Sequence, residues 1–335
     1  MTDEGARRAP TGTGITERRS LDPAEVAEVL ALLAAATDAD GVTPVSEPVL
    51  LDLEHARDPR ARHFLARRGG ELAGYAYLDV TDVVAGPSAE LAVHPARRGQ
   101  GVGTALVETL EAASTAYADG RLRLWAHGRH PLAVALAHGR GYVEERVLWQ
   151  LRRSLLSHIP DAPMPPGIRL RAFRPGADEP AWVEVNNRAF ADHPDQGGWT
   201  VADVEAREAE PWFDPAGFLL AERAETGELV GFHWTKVHHG QAAPGAGSPS
   251  PIGEVYVLGV DPSARGLRLG PALTVAGLRH LRGRGLSQVL LYVDESNTRA
   301  VRLYEGLGFR KWDADVQFRR ARPGPRRVHR PVTAL

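Results

Sequence analysis

One pattern occurs twice in this chain, and it limits the possible folds more than any other feature. In the second half, Val255-Tyr256-Val257-Leu258-Gly259-Val260 is an apolar, β-branched run that reads as a buried strand. Asp261-Pro262 stops it, a loop of arginine and glycine follows, and a helical pattern begins at Pro271, a residue suited to a first helical turn. In the first half, Leu91-Ala92-Val93-His94-Pro95 leads into Arg98-Gly99-Gln100-Gly101-Val102-Gly103 in the same order. Val260 follows Val93 by 167 positions (260 − 93), and the same step relates Gly270 to Gly103 and Gly308 to Gly141. A constant step over three landmarks marks a duplicated domain, not a solenoid period. Strand, glycine-bearing loop and helix together aim free backbone N–H groups at an anion.

The length of 335 residues suits two ordinary domains, and a hydrophobic content of 43% can fill two cores. A formal net charge of −2 gives no reason to expect a nucleic-acid partner. The absence of cysteine removes disulfides, thiolate metal sites and a cysteine nucleophile. None of the 13 histidines shows metal-ligand spacing, so no metal is expected. Residues 1–14 lack the apolar centre of a signal peptide, and no apolar run is long enough to cross a bilayer. A cytoplasmic monomer with no membrane partner is the expectation.

Residues 1–14 read as disordered. Residues 23–37 read as a helix with Val26, Val29, Leu30 and Leu33 on one face, and 38–47 as a polar turn region. Strands are expected at 63–66 and 74–80, joined by the turn Arg68-Gly69-Gly70-Glu71, then at 89–93, 122–126 and 143–151. Helices are expected at 104–117 and 131–138. Pro160, Pro163, Pro165 and Pro166 mark residues 157–167 as a linker between a first domain at 15–156 and a second at 168–320. The second half repeats the order. It has a strand from Ile168, a helix at 182–190, a polar and aromatic loop at 193–200, strands at 217–221 and 229–237, and a Gly/Pro/Ser loop at 241–251. After the repeated motif come a strand at 289–293, a helix at 297–306 and a closing strand near Phe318. Residues 321–335 form a basic, mobile tail.

Gly99, Gly101 and Gly103 fit either a dinucleotide fingerprint or an acyl-CoA pyrophosphate loop. The fingerprint needs an early βαβ unit with a later acidic residue, and the order of elements here is different. The second loop has Arg268 where the first has Gly101, so a positive φ there is costly, while the guanidinium adds charge toward phosphate. Strand alternation places Glu254, Tyr256 and Leu258 on one face. The positions 167 residues before Glu254 and Tyr304 are Pro87 and Ala137, so two proton-active side chains occur in the second half alone.

The loop Arg98-Gly99-Gln100-Gly101-Val102-Gly103 and the late segment Asn297-Thr298-Arg299-Ala300-Val301-Arg302-Leu303-Tyr304 make each half resemble a GNAT-type N-acetyltransferase domain. Three second-half blocks narrow the resemblance: His193 to Thr200, Gly231-Phe232-His233-Trp234-Thr235-Lys236-Val237, and Gly253 to Pro262. With them, residues 15–320 resemble the mycothiol synthase family of tandem acetyltransferases. The resemblance implies an α/β protein of two tandem GNAT (acyl-CoA N-acyltransferase) domains, each a mixed, mostly antiparallel sheet flanked by helices. It implies acetyl transfer from acetyl-CoA to the cysteinyl amine of cysteinyl-glucosaminyl-inositol, with a catalytic second domain and a first domain that binds acetyl-CoA without turnover. Glu254 would be the base and Tyr304 the acid. Glu47, Asp195, Lys236, Glu254 and Tyr292 would bind the thiol-sugar substrate. Acetyl-CoA would lie on Leu91, Ala92 and Val93 with Gly99, Gln100, Gly101, Val102, Gly103 and Thr104 in the first domain. In the second it would lie on Leu258, Gly259 and Val260, on Arg265, Gly266, Leu267, Arg268, Leu269, Gly270 and Pro271, and on Asn297, Thr298, Arg299, Ala300, Val301 and Arg302. Two other functions fit the same motifs: a tandem acetyltransferase for another amine, and an acyl-CoA sensor without turnover.

Overall fold

The computed structural model describes residues 12–55, 60–82, 86–117, 121–191, 198–238 and 251–320. The chain forms two compact units. One contains β1 (Gly14–Arg18), α1 (Pro23–Asp40), α2 (Glu47–His55), β2 (Arg62–Arg68), β3 (Glu71–Asp79), β4 (Ser88–Val93), α3 (Val102–Ser114), β5 (Arg123–Ala126) and α4 (Pro131–Gly139). The other contains β7 (Ile168–Ala172), α5 (Glu179–Ala189), α6 (Val201–Glu208), β8 (Phe218–Arg223), β9 (Leu229–His238), β10 (Ile252–Val260), α7 (Leu269–Gly283), β11 (Gln288–Asp294) and α8 (Thr298–Gly306). The strands β6 (Tyr142–Ser154) and β12 (Arg310–Arg320) each cross a unit boundary.

Each unit repeats one topology. In the first, β1, β2, β3 and β4 are antiparallel neighbours, β4 pairs parallel with β5, and β5 pairs antiparallel with β12. In the second, β7 to β10 are antiparallel neighbours, β10 pairs parallel with β11, and β11 pairs antiparallel with β6. The units divide at Val147/Leu148 and again at Asp313/Ala314. Residues 148–154 therefore complete the second unit, and residues 314–320 the first, whereas the sequence suggested boundaries at 156/168 and 320. The free edges of β5 and β11 are each covered by an antiparallel strand, and each unit takes that strand from the end of the other repeat. The linker region also does more than connect: Ile159 is buried in the second core beside Leu151, Leu155, Val289 and Leu291.

Helix ends follow their local chemistry. Asp22 caps α1 by accepting from Glu25 N at 2.8 Å while Glu25 accepts from Asp22 N at 3.2 Å, and Gly41 in the left-handed region ends the helix. Thr200 and Asp203 make the same box at the start of α6. Helices α2 and α6 begin where the expected turn at 38–47 and loop at 193–200 end, in segments for which the sequence suggested no element, and β1 begins at Gly14, the last residue of the stretch read as disordered. Residues 1–11, most of the 241–251 loop and the tail from 321 lie outside the described residues.

Candidate active site

Glu254 enters β10 directly opposite Lys236 of β9, so both side chains share the face of the second sheet away from α7 and α8. The Glu254 carboxylate is buried and accepts a hydrogen bond from His238 Nε2 at 2.6 Å. Lys236 Nζ stands 4.3 Å from the Trp212 ring centre and 5.2 Å from that of Tyr256. Tyr256 in turn has its hydroxyl bound by Arg207 Nε at 2.6 Å. On the same face, Leu290 lies opposite Glu254, and Tyr292, two residues on, receives a hydrogen bond from Gln150 Nε2 at 2.7 Å.

Two features open this strand to a ligand. The first is a bulge: Val255 pairs with Thr235 and Val257 with Trp234, so Tyr256 is an inserted residue. Simple alternation put Leu258 on the Glu254 face; the bulge reverses it. Leu258 lies opposite His233 and packs toward Leu269 and Leu273 of α7. The second is a parting of strands. Pairing between β10 and β11 is confined to Gly253–Val289 and Glu254–Leu290, and beyond Glu254 the two strands run without a shared ladder. Leu258, Gly259 and Val260 border that gap. Gly259 is required by packing, because a Cβ there would lie 2.6 Å from the Phe232 ring.

The loop at the end of β10 turns through Pro262–Ala264, with Asp261 accepting from Ser263 N at 2.8 Å, and reaches α7. Gly266 has φ 90°, and Arg268, the residue that caps α7, has φ 59° and ψ 28°. The Arg268 backbone thus adopts the left-handed form that Gly101 adopts at α3, with φ 82° and ψ −2°. The anticipated steric cost is accepted rather than avoided. No side chain caps either helix, so the first-turn N–H groups of Val102, Gly103 and Thr104, and of Leu269 and Gly270, remain available to an anion. Arg265, Gly266, Leu267 and Arg268 are exposed. Pro271 follows inside the first turn and has no N–H to lose.

Tyr304 lies elsewhere. It sits on α8 in the helix-side core with Val255, Val289 and Val293, edge-on to Phe309 at 5.6 Å, and burial pushes its phenol up to about 12. The sheet separates it from the Glu254 face. Asn297 caps α8 by accepting from Ala300 N at 3.1 Å, and Thr298 to Arg302 form the opening turns of that helix. Glu47 opens α2 in the first unit. Leu91, Ala92 and Val93 end β4 there, with Gly99 and Gln100 in the loop that follows; Gln100 accepts from Arg68 at 2.9 Å. Asp195 lies outside the described residues.

The acetyltransferase (GNAT) family profile matches residues 29–142 and again 181–309. The chain belongs to the acetyltransferase (GNAT) family. It is 51% identical over 342 residues to the mycothiol acetyltransferase of Streptosporangium roseum, covering 91% of this chain and 99% of that protein. To the mycothiol acetyltransferase of Salinispora arenicola it is 56% identical over 316 residues, covering 93% and 98%. Among solved structures, a GCN5-related N-acetyltransferase from Sphaerobacter thermophilus is similar at TM-score 0.64 and 28% identity, covering 91% of this chain and 95% of that one. A tandem GNAT protein from the clavulanic acid biosynthesis pathway shares the fold at TM-score 0.67 and 21% identity, over 94% and 99%. The tandem GNAT reading of the duplicated motif holds, with one match in each half.

Sequence reasoning missed His238, Arg207, Trp212 and Gln150. Strand register signals the first: on β9, His238 follows Lys236 by two residues and so shares its face. The others come from α6, the segment after it, and a strand of the preceding repeat. No spacing rule links them to Glu254.

Proposed function

We propose that this GNAT-family chain transfers the acetyl group of acetyl-CoA to the cysteinyl amine of cysteinyl-glucosaminyl-inositol, giving mycothiol and CoA, with chemistry in the second unit. The observation that carries this reading is Glu254, a buried carboxylate at the point where β10 and β11 part. Identity above 50% with the mycothiol acetyltransferases over nine-tenths of the chain supports the acceptor.

The residues fit the group. The uncapped first turn of α7, with the exposed Arg265 and Arg268 beside it, offers N–H donors and positive charge to a pyrophosphate. Acetyl-CoA, when bound, supplies the acetyl group and departs as the thiol. The main chain of Leu258, Gly259 and Val260 borders the gap and orients the acyl arm. An α-amino group with a pKa of about 7.7–8.0 is largely protonated at neutral pH, and Glu254 removes that proton. Tyr304 stays protonated throughout the neutral range because burial holds its pKa at about 12, so it serves as a hydrogen-bond donor to the departing sulfur. A basic limb from this phenol therefore lies above the working pH. Lys236, Tyr292 and Asp195 supply charge and hydrogen bonds to the polyhydroxyl acceptor. The first unit, with its own uncapped α3 but Pro87 and Ala137 in place of the proton-active pair, binds acetyl-CoA without turnover.

The test is CoA release by the purified protein with the cysteinyl pseudodisaccharide beside a panel of simple amines. A preference of at least a hundredfold in kcat/KM for the pseudodisaccharide supports the reading. Equal turnover of simple amines would replace it with a general amine acetyltransferase, and no release with any amine would leave an acyl-CoA sensor.

A further inference from the structure

The proposed reaction leaves a proton behind. The acceptor arrives as an ammonium ion; the C–N bond forms, the C–S bond breaks, and nitrogen gives up two protons in all. The departing thiolate takes one. The other is a net product and must reach water, because Glu254 has to be a carboxylate again before the next turnover. Yet the Glu254 side chain is only 10% exposed. Its one hydrogen-bonded neighbour among the described residues is His238, whose side chain is 40% exposed and whose Nε2 lies 2.6 Å from Glu254 Oε2.

We infer that His238 is a positioning residue for the base: it holds the Glu254 carboxylate in place and passes its proton to solvent. This rests on the base role of Glu254. The contact is direct and short, one end is buried and the other meets water, and an imidazole can accept on one nitrogen and release from the other. The residues sit at the first rungs of the β9–β10 ladder, His238 opposite Ile252 and Glu254 opposite Lys236, so the pair is set by main-chain register and not by a mobile loop. The charged and titratable groups at this face are Lys236 on β9, Tyr256 on β10 with Arg207 of α6 bound to its hydroxyl, Tyr292 on β11 and Arg152 on β6. Arg152 is engaged with Gln150 Oε1 at 2.8 Å and with the Trp312 ring at 4.5 Å. Lys236 is held over Trp212. Neither cation takes the place of His238 on the carboxylate.

His238→Ala and His238→Gln separate the two tasks. A glutamine can donate to Glu254 but cannot carry a proton. In the alanine variant kcat should fall roughly 10–100-fold, the weight of a hydrogen bond to a charged group, with KM for both substrates within about twofold of wild type. Added imidazole should restore rate in proportion to its concentration, a rescue that a purely structural role would not allow. In the glutamine variant the donor to Glu254 is kept, yet kcat should stay low and respond to imidazole. An unchanged kcat in both His238 variants, beside a crippled Glu254→Gln enzyme, would remove His238 and leave the base in place. A Glu254→Gln enzyme with the wild-type rate would remove the base and this inference together.

Discussion

Each unit of this chain keeps a buried glutamate on the strand that leads to its glycine loop, and the two glutamates are held in opposite ways. In the first unit, Glu90 accepts from Ser46 Oγ at 2.7 Å and meets His127 Nε2 at 3.1 Å, while Asp315 meets His127 Nδ1 at 3.0 Å and accepts from Gly128 N at 2.8 Å. Burial alone would lower the His127 pKa; the hydrogen bonds that His127 donates to Asp315 and Glu90 overcome it and raise the pKa to about 10. His127 is thus an imidazolium between two carboxylates, with both its nitrogens used. In the second unit, Glu254 touches one half-exposed histidine and borders a gap between strands. The two glutamates are equally buried and differ in their partners: Glu90 shares His127 with Asp315, and Glu254 meets His238 alone among the described residues. The loops differ in the same sense. Arg98 is committed to Asp40 by two hydrogen bonds of 2.7 Å, whereas its counterpart Arg265 makes no ion pair among the described residues.

The largest expected effect contrasts the two glutamates directly. Glu254→Gln should lower kcat by roughly 10²–10⁴-fold with acetyl-CoA affinity kept, the usual loss on removing a general base. Glu90→Gln should leave kcat within about threefold of wild type. Steady-state CoA release settles both, and a severe kcat loss in the Glu90 variant would break the contrast.

Removing His127 should instead be read in stability. His127→Leu leaves two buried carboxylates facing each other, and breaking a buried ionic cluster of this kind costs about 3–5 kcal/mol. Urea unfolding measures it. The pH dependence has a definite sign. Because the folded pKa of about 10 lies above the ordinary value of 6.5, the folded protein binds the extra proton between them. The stabilisation is complete below about pH 6.5 and is lost as pH rises toward 10. The urea midpoint should fall over that window in wild type, and the fall should be shallower in His127→Leu; equal slopes would mean the imidazolium is not the linked group.

Tyr304→Phe, at the position where the first repeat has Ala137, should lower kcat roughly tenfold, the value of one hydrogen bond to a developing anion. The basic side of the pH profile should not change, since the phenol titrates near 12. Conversion of a buried Tyr to Phe with no rate change would make this residue core packing only. The smallest effect belongs to the loops. Arg268→Gly should raise stability by about 1 kcal/mol by relieving a left-handed non-glycine residue, and should raise KM for acetyl-CoA severalfold if the guanidinium meets phosphate. Gly101→Arg should lower stability by a similar amount, which would put the two loops on an equal footing.

Much of the fold was written in local pattern. Strand β10 came from β-branched periodicity, α1 from the apolar face of Val26, Val29, Leu30 and Leu33, and the duplication from a constant step of 167 between Val93 and Val260. Two helices were missed although their caps were visible: Thr200 and Asp203 form a capping box inside a stretch dominated by its polar and aromatic residues, and Glu47-Pro48 opens a helix that looked like the end of a turn. The exchange of final strands was not legible at all. Val147 and Leu148 lie in one continuous strand pattern, and which sheet each end joins depends on edges made far away in sequence.

By itself the sequence determined the two GNAT domains, the glycine-bearing loops, and the presence of Glu254 and Tyr304 in one repeat only, because these depend on residue type and on spacing along the chain. Tertiary structure decided what those residues can reach. A single inserted residue, Tyr256, turned Leu258 to the opposite face, a reversal that no alternation rule contains. The left-handed Arg268 was decided by the strand and helix it must join, against its own preference. The placing of Glu254 and Tyr304 on opposite sides of one sheet, and of His238 against the carboxylate, was decided by register and helix packing. Both are properties of pairs of segments, and a chain read one residue at a time holds them only implicitly.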